Sequence, residues 1–187
     1  FENLLEDNKD KGAFYTPKEI VQYMCRESLI AYLEGRSLSE AEMNGASTTL
    51  STRIRDFVLG HDTASFTDSE KSTLLKALCE VKICDPAVGS GAFPMGMLNE
   101  LFACRVALGE ENEPAEIKKQ IVRENIYGVD IEKGAIDIAR LRFWLAIIVD
   151  EKEPIPLPNL DYKIMQGNSL LESFEGEDLS SLTKANG

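Results

Sequence analysis

The chain has 187 residues, of which 43% are hydrophobic and 28% charged, proportions ordinary for a soluble domain with a core of its own. Its formal charge of −12, from 20 basic and 32 acidic residues, argues against this segment gripping nucleic-acid phosphates by itself. No apolar run is long enough for a transmembrane helix, and the opening FENLLEDNKDKG lacks the basic start and apolar core of a secretory signal.

That opening also lacks a methionine, which leads us to expect a chain cut from a longer one. Cys25, Cys79, Cys84 and Cys104 form no CxxC pair, and His61 is the only histidine. Reduced thiols in a cytoplasmic protein, with no metal site, are the reading we adopt.

In chain order, TPKEIVQYMCRESLIAYLEGR predicts a helix with Thr16 as N-cap, Pro17 at the first helical position and Glu19 in the capping-box place. Ile20, Met24, Leu29 and Leu33 would form its apolar face, and Gly35 its C-cap. Residues 36–79 break into short helical pieces, with a helix start at Thr67-Asp68-Ser69-Glu70, and read as a small helical insertion without chemistry. Strand and helix then alternate. VKICD (81–85) leads through a glycine turn to a helix near Ala92–Leu108, NIYGVD (125–130) to a helix near Lys133–Val149, and DYKIMQG (161–167) is a third strand. In the second helix Leu141, Phe143, Trp144 and Ile148 would pack on the sheet, and Arg140 and Arg142 would pair with local acids. The tail ESFEGEDLSSLTKANG reads as frayed and polar. Alternation of this kind predicts a parallel α/β sheet with crossover helices. Three strands are few for a doubly wound sheet, so the fold is expected to be incomplete.

The glycine turn, CDPAVGSGAFPMG, departs from the dinucleotide pattern G-x-G-x-x-G: Pro94 stands where the third glycine belongs, and Gly96 is displaced by two. Gly89 and Gly91 let the backbone pass close beneath a ligand. Asp85, at the strand end, repels a pyrophosphate but suits an α-ammonium or sulfonium, so the turn favours S-adenosylmethionine over NAD. Asp130 closes the next strand, where an acid accepts from ribose hydroxyls or caps the following helix. Ile131 could lie against adenine. Asn168, at the third strand end, could hydrogen-bond an adenine edge or simply form a turn.

Taken together, GAFYTP (12–17), DPAVGSGAF (85–93), YGVDIEKGAIDIARLRFWL (127–145) and PNLDYKIMQGNSLL (158–171) resemble the adenine-specific DNA methyltransferase region of type IIG (type IIS-like) restriction-modification enzymes. Those proteins join a nuclease, an N6-adenine methyltransferase and a target-recognition domain in one chain. The resemblance implies a Rossmann-like class I S-adenosylmethionine-dependent methyltransferase fold: an incomplete parallel sheet with crossover helices, plus an N-terminal helical segment. It divides the chain into a cofactor-motif helix (1–35), a helical insertion (36–80) and the first half of the methyltransferase domain (81–187). By the same resemblance Phe14, Tyr15, Thr16 and Pro17 contact the methionine part of S-adenosyl-L-methionine, and Asp85, Ala87, Gly89 and Gly91 form the glycine motif. Asp130 and Ile131 are the ribose acid and its apolar neighbour, and Asn168 and Ser169 hold the adenine ring.

The family's catalytic run, Asn/Asp-Pro-Pro-Tyr/Phe, does not occur in the sequence. The chain is therefore expected to be inactive alone, with no catalytic residue of its own. Double-stranded DNA would be met by regions outside it, and the nuclease and target-recognition domains of the parent polypeptide would be its partners; no membrane is involved. The rival readings are a methyltransferase acting on protein glutamine or RNA, and a non-catalytic nucleotide-binding module.

Overall fold

A computed structural model describes residues 16–41, 47–151, 153, 160, 162–170, 173–174 and 177–178. Phe14, Tyr15 and the ends of the tail lie outside them. The first helix, α1, spans Lys18–Ala41. Val21 N donates to Pro17 O at 3.0 Å, so the carbonyl of Pro17 accepts the first helical bond and the helix starts one residue later than expected. It also runs through Gly35 instead of ending there. Its buried face is Val21, Cys25, Leu29 and Leu33, a strict i, i+4 ridge, whereas Ile20 and Met24 are 51% and 46% exposed.

Helices α2 (Ser47–Gly60) and α3 (Asp68–Glu80) follow. The expected start of α3 is present as a full capping box, in which Thr67 Oγ1 accepts from Glu70 N and the Glu70 carboxylate accepts from Thr67 N. The Arg53 guanidinium and the Thr67 N–H hold the Glu70 carboxyl down at about 2. Ile54, Phe57, Val58, Phe66, Leu74 and Leu78 carry this segment into the same hydrophobic core as α1.

The sheet has three parallel strands in the order β1 (Ile83–Asp85), β2 (Ile126–Asp130), β3 (Ile164–Gln166). The register sets Asp85 beside Gly128 and Asp130 beside Gln166, so the strands end along one rim. Helices α4 (Ala92–Ala107) and α6 (Lys133–Ile148) cross between strands. Ile83, Ile126, Gly128 and Ile164 are buried along one side of the sheet, while Cys84 and Met165, which alternate with them, are exposed. On α6 the face toward the core is Ile136, Ala139, Phe143 and Ile147, and Leu141, expected there, is 44% exposed.

Two elements were not anticipated. Helix α5 (Pro114–Glu124) precedes β2, begins with Pro114 in its first turn, and buries Ala115, Ile117, Ile121 and Val122. A short antiparallel pair, β4 (Ser173–Phe174) and β5 (Glu177–Asp178), lies in the tail read as frayed.

Asn125, fully buried at the junction of α5 and β2, donates through Nδ2 toward the carbonyls of Leu78, Cys79 and Val81 at 3.2, 3.0 and 2.8 Å. It satisfies carbonyls at the C-terminal end of α3 and ties that helix to the sheet. Replacing Asn125 by Ala strands those carbonyls away from water. The expected loss is about 2–3 kcal/mol of unfolding free energy, read as a lower urea midpoint at an unchanged slope.

Candidate functional site

The turn between β1 and α4 is folded against β2 by two hydrogen bonds. Val88 N donates to Val129 O at 2.9 Å, and Gly89 N donates to Asp130 Oδ2 at 2.7 Å. Gly89 and Gly91 have φ of 52° and 83°, the left-handed region that other residues enter at a cost. Gly91 is also crowded, since a Cβ there would meet Ala139 Cβ of α6 at 3.1 Å. Arg142, one turn further along α6, donates from Nη1 to Ser90 O at 2.9 Å. Helix α6 thus also holds the turn.

Asp85 and Asp130 flank this turn at the ends of adjacent strands. Asp85 Oδ1 accepts from Ala87 N at 3.1 Å, which fixes the carboxylate at the foot of the turn. Burial raises the Asp85 pKa above its ordinary value, the Ala87 N–H opposes that rise, and the charge of Asp130 adds to it. Asp130 Oδ1 accepts from Glu132 N at 2.9 Å. Asp130 is not the cap of α6; Glu132 is, accepting from Gly134 N. Ile131 is 72% exposed beside it.

The third strand end joins the same rim. Gly167 N donates to Asp130 O at 2.9 Å, and Ser169 Oγ donates to Pro86 O at 2.6 Å, so the segment after β3 is bonded directly to the glycine turn. Asn168 Oδ1 accepts from Leu170 N at 3.0 Å, the turn anticipated as its other reading. Arg140 donates twice to Ile164 O, at 3.0 and 2.6 Å, and fastens β3 to α6. Asp85, Ala87, Gly89, Gly91, Asp130, Ile131, Asn168 and Ser169 therefore lie along one rim.

Thr16 lies elsewhere, at the wall of a cavity of about 410 Å³ between the start of α1 and α4. Lys18, Ala92, Met95, Glu100 and Arg142 also line it. From Ala92 to Glu100 it follows α4 for about 12 Å. At its far end Glu100 Oε1 accepts from Arg26 Nε at 3.1 Å and from Gln22 Nε2 at 3.5 Å, binding α1 to α4. His61 Nε2 stands 3.6 Å from Glu100 Oε2. Burial, with the nearby Glu100 charge, pushes the Cys25 and Cys104 thiols up to about 12, so both are inert packing groups.

With this geometry in hand, the comparison with known proteins is decisive at the family level. Residues 62–170 match the model described as the MmeI DNA-methyltransferase domain. The chain belongs to the MmeI DNA-methyltransferase domain family. It is 33% identical, over 97% of its length, to a protein of Methanocaldococcus jannaschii named as a type II restriction enzyme and methyltransferase. A shorter stretch, 36% of the chain, is 41% identical to the adenine-specific methyltransferase PglX of Streptomyces coelicolor. The chain spans only 16% and 6% of the lengths of these two relatives. The MmeI family match takes in the whole rim from Asp85 to Ser169 and excludes α1.

The raised Asp85 carboxyl gives a testable sign. Because folding favours its protonated form, its contribution is most favourable below the unfolded aspartate range, about pH 4, and is lost as pH rises through the raised folded value. Asp85→Asn, which keeps an acceptor for Ala87 N, is expected to raise the ligand-free denaturation midpoint at pH 7–8. That gain should fade as the pH is lowered toward about 4; a gain independent of pH would contradict the burial argument.

Proposed function

We propose that this rim binds S-adenosyl-L-methionine, and that the chain is the cofactor-holding part of a site-specific DNA N6-adenine methyltransferase of a restriction-modification enzyme. One observation carries the cofactor reading: two carboxylates at adjacent strand ends, Asp85 and Asp130, flank a turn whose Gly89 N–H is bonded to one of them at 2.7 Å. The residues fit the group on their own chemistry. Asp85 is a half-buried carboxylate beside a second acid, and a cation placed there relieves both burdens. The rim is open at Gly89, where nothing lies within 4 Å of a built Cβ.

In this reading Asp85 takes the ammonium of the amino-acid arm. Asp130 receives the two ribose hydroxyls on lone pairs beyond those its two backbone N–H partners use, since a carboxylate offers about four. Ile131 covers one adenine face, and Asn168 and Ser169 close the adenine end. Ala87, Gly89 and Gly91 supply backbone close to the ligand. Phe14, Tyr15, Thr16 and Pro17 would close over the methionyl end; a helix start with unpaired N–H groups suits a carboxylate. When bound, the cofactor supplies a methyl group made electrophilic by its sulfonium. The chain's own residues hold and orient it, and orientation is where such a transfer gains most of its rate.

The fold that suits this role is the Rossmann-like class I arrangement, with 1–35 as the cofactor-motif helix, 36–80 as a helical addition and 81–187 as the first part of the methyltransferase domain. Its target base would be extruded from double-stranded DNA. With no Asn/Asp-Pro-Pro-Tyr/Phe run in the sequence, the groups that hold the base come from the rest of the parent polypeptide.

Calorimetric titration with S-adenosylhomocysteine tests the cofactor claim. Binding is expected for the wild type, with Asp130→Ala weakening it at least about tenfold, the loss of hydrogen bonds to a charged acceptor. A folded protein that takes up no ligand at millimolar concentration would remove the reading. The 187 residues alone are expected to transfer no methyl group to DNA, measured with a radiolabelled donor; transfer would overturn the assignment of the base-holding groups elsewhere.

A further inference from the structure

Helix α1 is apolar on two sides near its start. Val21 and Cys25 face the core, while Ile20, Tyr23 and Met24, at i, i+3 and i+4, stand on the other side and are exposed. Tyr23 is the most open of the three, at 65%. A helix that is apolar on both sides packs between two partners, and the core is one of them.

Helix α2 extends the outer surface. Across the seam between the helices, Arg55 Nη2 donates to Glu27 Oε1 at 2.6 Å, and Ser51 donates to Glu34 further along. The helices therefore run antiparallel. Tyr23 lies one turn before Glu27 and Leu59 one turn after Arg55, so Leu59, itself 42% exposed, comes alongside Tyr23. Ile20, Tyr23, Met24 and Leu59 make one apolar patch across the seam.

The sequence before Thr16 offers a matching surface. In FENLLEDNKDKGAFY the apolar Phe1, Leu4 and Leu5 stand at i, i+3 and i+4, and every residue from Glu6 to Lys11 is polar or charged. Ten residues separate Leu5 from Thr16, enough to span about 35 Å when extended. The patch begins only about 6 Å along α1 from Thr16. A tether of this length holds its end near the patch at an effective concentration on the order of millimolar. A second copy of the chain has no such advantage, and it would bring one formal charge of −12 against another.

We propose that Phe1, Leu4 and Leu5 dock on the patch formed by Ile20, Tyr23, Met24 and Leu59, so that the segment doubles back along α1. The dock and the start of α1 then fix both ends of the run that contains Phe14 and Tyr15. The proposal stands whether or not the rim takes the cofactor.

The test uses the complete polypeptide that carries this chain. Peroxide converts accessible methionine to its sulfoxide, and mass spectrometry of peptides reads Met24 separately from Met165, which is exposed on β3. In Leu4→Asp/Leu5→Asp, Met24 is expected to oxidise about fivefold faster than in the wild type, because its cover is lost. Met165 should keep its rate. A second measurement leaves the segment unaltered: Tyr23→p-benzoylphenylalanine, irradiated at micromolar protein, should cross-link to residues 1–7 of its own chain. If circular dichroism shows that the double variant does not fold, the cross-link decides. A Met24 rate unchanged in a folded double variant overturns the docking. So does the absence of a cross-link to residues 1–7, whether the probe instead captures a second copy, another part of the polypeptide or nothing.

Discussion

The carboxylate of Asp130 accepts two backbone N–H groups that belong to different parts of the chain. One comes from Gly89 in the turn after β1, 41 residues earlier, and the other from Glu132 at the entry to α6. A single side chain thereby sets the height of the glycine turn above the sheet and the entry angle of the helix that presses on it. The backbone carbonyl of the same residue receives Gly167 N, which brings the third strand end to the rim. Removing that carboxylate would release more than one contact to a ligand, because the walls of the site are positioned by the group that is proposed to bind in it. Such double use explains how a turn with few side chains of its own stays ordered.

Electrostatically the rim is arranged against its own comfort. Two acids stand at neighbouring strand ends, in a chain whose formal charge is already −12. Burial pulls the Asp85 pKa upward, and the charge of Asp130 adds to that pull. Strain of this kind persists where a bound partner relieves it. On α6, Arg140 donates to the carbonyl of Ile164 and Arg142 to that of Ser90.

The parts of the fold nearest the rim were the most legible in the sequence. Ile83–Asp85, Ala92–Ala107 and Ile126–Asp130 are short apolar or helical runs punctuated by glycine and aspartate, which mark their ends sharply. The errors arose where tertiary packing chose among equally good local patterns. On α1 the spacing allowed either Ile20 and Met24 or Val21 and Cys25 as the inner face, and contact with α4 selected the latter, with Cys25 acting as a small hydrophobe. Gly35 has the composition of a helix end, yet α1 passes through it. Helix α5 was missed although Pro114 and the spacing of Ile117 and Ile121 marked it. The site residues were legible as residue types at strand ends; the bonds of Asp130 to Gly89 and of Ser169 to Pro86 were not, since they span 41 and 83 positions. Arg142 was expected to pair with local acids; its bond to Ser90 O, 52 positions away, was not legible.

Helices α2 and α3 look dispensable when read along the chain, because they carry no motif. In three dimensions Phe57, Ile54 and Leu78 share one core with Leu29 and Leu33 of α1 and Leu98 and Leu101 of α4. Helix α4 is the element that begins at the glycine turn. A lineage could therefore not shed these two helices as one trims a surface loop. Their loss would open a void behind α4 and loosen the turn it starts from, so their presence in descendants should be inherited together with the rim, however freely their exposed positions drift.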